Sequence, residues 1–228
     1  DKTLALMPER IALYGYAHVP WVKGTGQRGY DEQNLPKDEQ KRALYEMAYA
    51  QLLDAGYLAV GMDHFALPAD ALATAFEKKQ MHRNFMGYTH RQTDLMLGLG
   101  MSAISDTWGA FAQNDKHVED YQSRIAKGEL AVFRGHFLNE EELLIRRHIL
   151  DLLCHFETKW IGGLWAAGFY QKIIERLSEL EKDELITLSD QGLSILPAGY
   201  AFVRNVCMAF DLDLHGHQFD KPLFSATI

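Results

Sequence analysis

Gly61-Met62-Asp63-His64-Phe65-Ala66, then His82-Arg83-Asn84-Phe85-Met86-Gly87-Tyr88-Thr89, then Leu97-Gly98-Leu99-Gly100-Met101-Ser102-Ala103-Ile104-Ser105, decide how this chain is read. Two apolar, glycine-punctuated runs flank a polar, aromatic segment. Charged and imidazole groups begin where an apolar run stops, as they do when strands deliver functional side chains at their C-terminal ends. A buried β-core with polar surface loops writes the same pattern, and at this point both readings stand.

Working outward, Ile11 to Pro20 reads as a short aromatic strand stopped by proline. A helix is expected from Pro36 to Ala55, with Gly56 after its end, and a strand over Tyr57–Met62. Strand, helix, strand is a βαβ unit and predicts a parallel sheet with a right-handed crossover. Asp63 and His64 then fall just past a strand end. Pro68 to Lys79 reads as a helix, His82 to Tyr88 as extended chain, Thr89 to Thr93 as a polar turn and Leu95 to Ser105 as a third strand. The glycines of that strand allow close backbone approach.

Downstream the pattern turns helical. Lys116 to Lys127 is amphipathic. Asn139 with Glu142 writes a capping box for a helix to about Phe156, and a further helix covers about Leu164 to Leu180. Two apolar runs around Ser189-Asp190-Gln191-Gly192 predict a hairpin, followed by a helix from Pro197 to about Leu212. Helices, hairpin and helix resemble a winged-helix module. The expected division is 1–136, α/β, and 137–228, mainly helical.

The 228 residues carry 23 Lys and Arg against 31 Asp and Glu, a formal charge of −8. That balance argues against a general nucleic-acid surface. The hairpin tip has no basic residue and the helix after it has only Arg204, which argues against DNA binding in particular. No apolar window is long enough for a membrane span, and no signal peptide is visible. The two cysteines, Cys154 and Cys207, read as small core residues in a reducing, cytoplasmic setting. Asp1 rather than Met opens the chain, so a piece of a longer protein is expected.

The candidate chemistry lies in a few side chains. Asp63 and His64 suit an acid–base pair or, with His18, His82, His90 and Asp94, metal ligation, although none has tight ligand spacing. Arg83, Arg91 and Arg134 suit carboxylate recognition, because guanidinium matches carboxylate bidentately. Phe85 and Tyr88 suit stacking on a flat ligand; core packing explains the same aromatics.

In order along the chain, Tyr16-Ala17-His18-Val19-Pro20, the first two stretches quoted above, Gly100-Met101-Ser102-Ala103-Ile104-Ser105, Arg204-Asn205-Val206-Cys207-Met208 and Phe224-Ser225 resemble the oxygen-independent coproporphyrinogen III oxidases. These are radical S-adenosylmethionine enzymes of haem synthesis. The resemblance runs over essentially the whole chain. It implies the last strands of a partial (β/α) barrel followed by the helical C-terminal domain. It also implies S-adenosylmethionine and a [4Fe–4S] cluster, a porphyrinogen substrate and an electron donor. In that family a 5′-deoxyadenosyl radical takes hydrogen from a propionate, and loss of CO₂ and an electron leaves a vinyl group.

The resemblance carries Ala17, Phe85, Met86 and Ile104 onto S-adenosylmethionine contacts, and gives His64, Arg83 and Arg134 a carboxylate-binding task. Two departures stand out. The family usually has Gln after that Phe, where this chain has the thioether of Met86, which cannot donate a hydrogen bond. The loop 89–93 also differs. The family's CxxxCxxC cluster motif is not in these residues, so the chain reads as the C-terminal half of the enzyme, inactive alone. An incomplete barrel leaves an open strand edge, and self-association is expected. Two alternatives remain: a metal-dependent hydrolase built on His18, Asp63, His64 and His82, and a porphyrin-binding protein without the chemistry.

Overall fold

A computed structural model describes residues 2–19, 32–161 and 164–211. Pro20 and the adjoining loop, the tail beyond 211 and its Phe224-Ser225 lie outside the described residues. Helices and strands alternate in a mixed α/β arrangement. Helix α1 (Lys2–Leu6) and strand β1 (Arg10–Ala12) precede α2 (Asp38–Asp54), β2 (Leu58–Val60) and β3 (His64–Ala66).

The parallel sheet expected from the βαβ pattern is not what forms. Strand β3 lies between β1 and β2 and is antiparallel to both, with Ile11 opposite Phe65 and Val60 opposite His64. The chain reverses over 61–63, where a straight strand with a polar end was expected. Gly61 makes this possible: its φ is +63°, and a Cβ there would meet the Tyr88 ring at 2.5 Å. Every strand ladder among the described residues is antiparallel.

After α3 (Ala71–Glu77), β4 (His82–Asn84) and β5 (Gly87–Thr89) form a hairpin rather than one extended segment. Asn84 Oδ1 accepts the Met86 N–H at 2.8 Å, and Gly87 takes a φ of +112°. This is side-chain and glycine chemistry that closes a tight turn. The strand expected over Leu95–Ser105 is mostly loop. Only its end enters a strand, β6 (Ile104–Asp106), and Met96 bridges back to Asp106. Side chains satisfy the loop's backbone: Asn114 Nδ2 donates to the Gly98 and Gly100 carbonyls, and the Tyr121 hydroxyl accepts from Gly100 N–H. Gly98 is pressed on Ile104, whose backbone a Cβ would meet at 2.7 Å.

Strand β6 pairs with β7 (Ala110–Asn114), and β7 with β8 (Val132–Phe137). All six residues of β8 are exposed at the sheet edge. Helix α4 (Val118–Ala126) connects β7 to β8. Next comes α5 (Glu140–His155), with the capping box in place: Asn139 Oδ1 accepts from Glu142 N–H at 2.9 Å, and Glu142 Oε2 accepts from Asn139 N–H at 2.7 Å. Beyond it lie β9 (Glu157–Lys159), α6 (Leu164–Lys182), β10 (Ile186–Ser189) and β11 (Gly192–Ile195). The expected hairpin is β10–β11, and β9 adds a third strand. The helix expected from Pro197 divides into a 3₁₀ segment, Pro197–Phe202, and α7 (Val203–Met208).

Three cores hold these elements. The largest includes Leu152, Ile173, Leu177, Leu193, Val203, Val206 and Phe210. A second joins Val60, Leu72, Met81, Tyr88 and Cys154, and a third Leu52, Tyr57 and Phe65. Helix α5 contributes to two of them, Leu152 to the first and Cys154 to the second. Burial of each such large apolar side chain is worth about 1.5–3 kcal/mol. No helix among the described residues is long and apolar enough to cross a membrane.

Candidate active site

The β4–β5 hairpin and helix α5 wall a cavity of about 700 Å³, completed by strands β6 and β7. Arg83 and Phe85 come from the hairpin, Asp106 and Phe111 from the sheet, and Arg146 from the helix. The Phe85 ring meets Phe111 edge-on at 5.2 Å, which fixes the hairpin tip against β7. Phe85 nevertheless stays half exposed.

Tyr88 anchors the hairpin from behind. Its hydroxyl donates to the Leu153 carbonyl at 2.8 Å and accepts the Met62 N–H at 3.0 Å. Burial pushes its phenol well above the ordinary range, so it remains a neutral donor. The Arg83 guanidinium sits 4.7 Å over its ring, a cation–π contact that holds the charge without neutralising it. Arg83 makes no ion pair among the described residues.

Arg146 is fully engaged. Its Nη2 donates to both Asp106 oxygens, at 2.9 and 2.7 Å, and its Nη1 to the Trp108 carbonyl at 2.8 Å. It also lies over the Trp108 and Phe111 rings, at 4.5 and 4.8 Å. Trp108 holds a left-handed φ of +64°, with its N–H donating to Asp106 Oδ1 at 3.0 Å. The pair is largely buried and orders the turn; beside it the cavity presents the Arg83 cation and the carboxylates of Glu141, Glu142 and Asp211.

His64 does not line this cavity. Its Nδ1 lies 2.6 Å from Asp63 Oδ1, and its ring packs edge-on to Tyr88 at 5.1 Å. Such an aspartate–histidine pair fixes ring orientation and suits proton transfer. Arg134 stands on exposed β8 and donates to Gln113 Oε1 at 2.9 Å, away from Arg83 and Phe85. Met86 projects into solvent, 83% exposed, and Ala17 is exposed beyond β1. Neither lines the cavity. Ile104 lies two positions before Asp106 on β6 and therefore on its face of the sheet. Of the four residues expected to contact the cofactor, Phe85 lines the cavity.

The metal alternative fails on geometry. Asp63 and His64 pair with each other, His82 is buried elsewhere, and His90 and Asp94 are exposed. No group of three or more His, Cys, Asp or Glu among the described residues can hold a metal ion. Cys154 and Cys207 are buried, and burial pushes both thiols up to about 12, the opposite of what cluster thiolates need. Sequence reasoning missed Asp106, Trp108, Phe111 and Arg146. The available signal was the helical spacing of Arg146 within an otherwise well-marked α5.

The cavity thus sets Arg83 and the Phe85 and Phe111 rings beside the Arg146–Asp106 pair and the carboxylates of Glu141, Glu142 and Asp211. The comparisons with known proteins give this mixed α/β chain its relatives. The chain is 38% identical over 217 residues to the oxygen-independent coproporphyrinogen III oxidase of Pseudomonas aeruginosa, covering 92% of this chain and 47% of that protein. It is 33% identical over 236 residues to the enzyme of that name from Synechocystis, covering 100% of this chain and 50% of the relative. A solved structure described as coproporphyrinogen III oxidase (HemN) from Escherichia coli, a radical SAM enzyme, superposes with a TM-score of 0.85 at 33% identity, over 93% of this chain and 50% of that one. No family model matches. The chain is thus a relative of the oxygen-independent coproporphyrinogen III oxidases and spans about half the length of those it matches.

Proposed function

We propose that this chain is the C-terminal portion of an oxygen-independent coproporphyrinogen III oxidase, a cytoplasmic radical S-adenosylmethionine enzyme that turns two propionates of coproporphyrinogen III into vinyl groups. The observation that carries the reading is the His82–Thr89 motif. A segment that carries the resemblance is also the hairpin that sets the Phe85 ring and Arg83, which makes no ion pair among the described residues, into a 700 Å³ cavity. A cavity of that size lies within the range of small-molecule sites. The Arg83 guanidinium, set among the carboxylates of Glu141, Glu142 and Asp211, suits one propionate carboxylate, and the Phe85 and Phe111 rings suit a flat macrocycle.

The cluster finds no ligands here, so no step of the chemistry is assigned to this chain's cysteines. Phe85 and Ile104, with Ala17 and Met86, are proposed contributors to S-adenosylmethionine contact beside residues supplied by the rest of the enzyme. Support comes from the motif resemblance and from Ile104 sharing the cavity-side face of β6 with Asp106. His64, held by Asp63, is proposed to face the substrate from beyond Tyr88, and Arg134 from β8. The finer fold reading — closing strands of a partial barrel, then from about residue 137 a helical module with a wing-like hairpin — is supported by the resemblance and by the capping box that starts α5 at that point. An electron donor is required by the reaction class.

The test is anaerobic turnover of coproporphyrinogen III by the full-length protein that contains this chain. We expect activity, and a KM about tenfold higher in Arg83→Gln with kcat less affected, as loss of one charge-assisted contact implies. The 228-residue chain alone is expected to build no iron–sulfur chromophore and to turn over nothing. An inactive full-length protein, or an unchanged KM in the variant, would refute the assignment.

A further inference from the structure

Beyond the Arg146–Asp106 bridge lies a second cavity, of about 370 Å³, with only Leu150 common to the lining of both. Nothing in the proposed function uses it. Its wall brings together His82 from β4, Trp108 from the β6–β7 turn, and Arg147, Asp151 and His155 from α5, with Gln80 and Gln92 from flanking loops.

The hydrogen-bonding capacity of this wall is one-sided. Lys79 is already tied to Glu157. Asp151 Oδ2 accepts from the Thr158 hydroxyl at 3.0 Å. Arg147 makes neither a hydrogen bond nor an ion pair among the described residues. His155 Nδ1 is buried without a hydrogen-bond partner. The side-chain amides of Gln80 and Gln92 and the indole N–H of Trp108 are likewise uncommitted. A fixed positive charge and several unspent donors face one partly spent carboxylate. Met81 and Leu150 supply the apolar remainder. Arg147, Gln80 and Gln92 are exposed and hydrated, so an acceptor-rich guest takes the place of water on these donors.

We propose that this second cavity binds a carboxylate group, with Arg147 as its ion-pair partner and His155 and the glutamine amides as hydrogen-bond donors. Its volume lies near the lower limit of small-molecule sites and suits a small acid or one side arm of a larger ligand. The guest is therefore either a free small carboxylate or, on the reading given above, a propionate arm of the porphyrinogen. Both present the same planar acceptor, which guanidinium engages bidentately.

Calorimetric titration of the chain separates these sources, with succinate as the small acid, succinamide as its neutral counterpart and coproporphyrin III as the tetracarboxylate. Binding of succinate but not succinamide, weakened about tenfold or more in Arg147→Gln, establishes the site for a free acid. Binding of coproporphyrin III alone, weakened by that much in Arg147→Gln, establishes it for a side arm. The inference is overturned if succinamide binds as well as succinate, if neither acid binds, or if Arg147→Gln alters neither titration. Coproporphyrin binding that depends on Arg83 and not on Arg147 overturns it too, while leaving the proposed function in place.

Discussion

Gly61 meets two demands that no other residue satisfies together. Its φ of +63° disfavours a side chain, and the Tyr88 ring occupies the space a Cβ would take. Gly61→Ala is therefore expected to cost about 2–3 kcal/mol, as overpacking and left-handed backbone strain combine; an unchanged thermal midpoint would contradict the turn geometry. His148 makes a second residue-scale case. It is fully buried, with Nδ1 2.8 Å from Thr158 Oγ1 and Nε2 3.0 Å from the Tyr170 hydroxyl. That hydroxyl donates to the Ile161 carbonyl and accepts the Ile161 N–H, so Nε2 carries the proton, while the single Thr158 hydroxyl proton is shared between His148 Nδ1 and Asp151 Oδ2. Burial lowers the imidazole from 6.5 to about 4. The folded state thus resists a proton that the unfolded chain takes near 6.5. The stability this contributes is complete above that pH and is lost as pH falls from 6.5 to 4. Plotting thermal midpoints against pH for the wild type and His148→Gln should show a shallower acid decline in the variant; parallel curves would count against this protonation state. Burial lowers His82 and His155 as well, so the slope difference, not the slope, is diagnostic.

Among the elements, α5 shows what a sequence can disclose. Its start is written locally in Asn139 and Glu142, and both halves of the capping box form. Glu142 also accepts from His136 at 2.7 Å. Its carboxyl is held below the usual range first by the Asn139 N–H and then by His136. Asn139→Ala should cost about 1–2 kcal/mol, read as a lower denaturation midpoint with an unchanged m-value; a neutral result would show the cap to be dispensable. The β2–β3 reversal and the loop at 95–103 were not legible in the same way. Their causes are distant: Tyr88 for the first, Asn114 and Tyr121 for the second. Apolar runs with glycines read as strands because period and composition are local properties, whereas the partner that bends a run is not. The candidate site divides along the same line. Arg83 and Phe85 stand out inside a motif, while Asp106, Trp108 and Arg146 become a unit only when β6 and α5 meet.

At the scale of the whole molecule, α5 ties two cores together, with Leu152 in one and Cys154 in the other, and Met62 and Phe76 pack against both. The hairpin carrying Arg83 is therefore braced by the same helix that supports the β9–β11 sheet, and the two cavities lie on adjoining faces of that helix. Damage to α5 should reach both sites at once.

Strand β8 has a practical consequence of its own. Phe133 is 57% exposed and Phe137 86% exposed, on a strand whose outer backbone groups face water. A bare edge bearing phenylalanines is sticky in the colloidal sense and invites strand-to-strand stacking between molecules. Handling of the chain should be limited by turbidity rather than by unfolding, and Phe137→Lys should raise the concentration at which light scattering begins to climb without moving the melting temperature. If scattering rises at the same concentration in the variant, the stickiness resides elsewhere. If it does not, one lysine on this ribbon is the cheapest route to samples concentrated enough for the titrations described above.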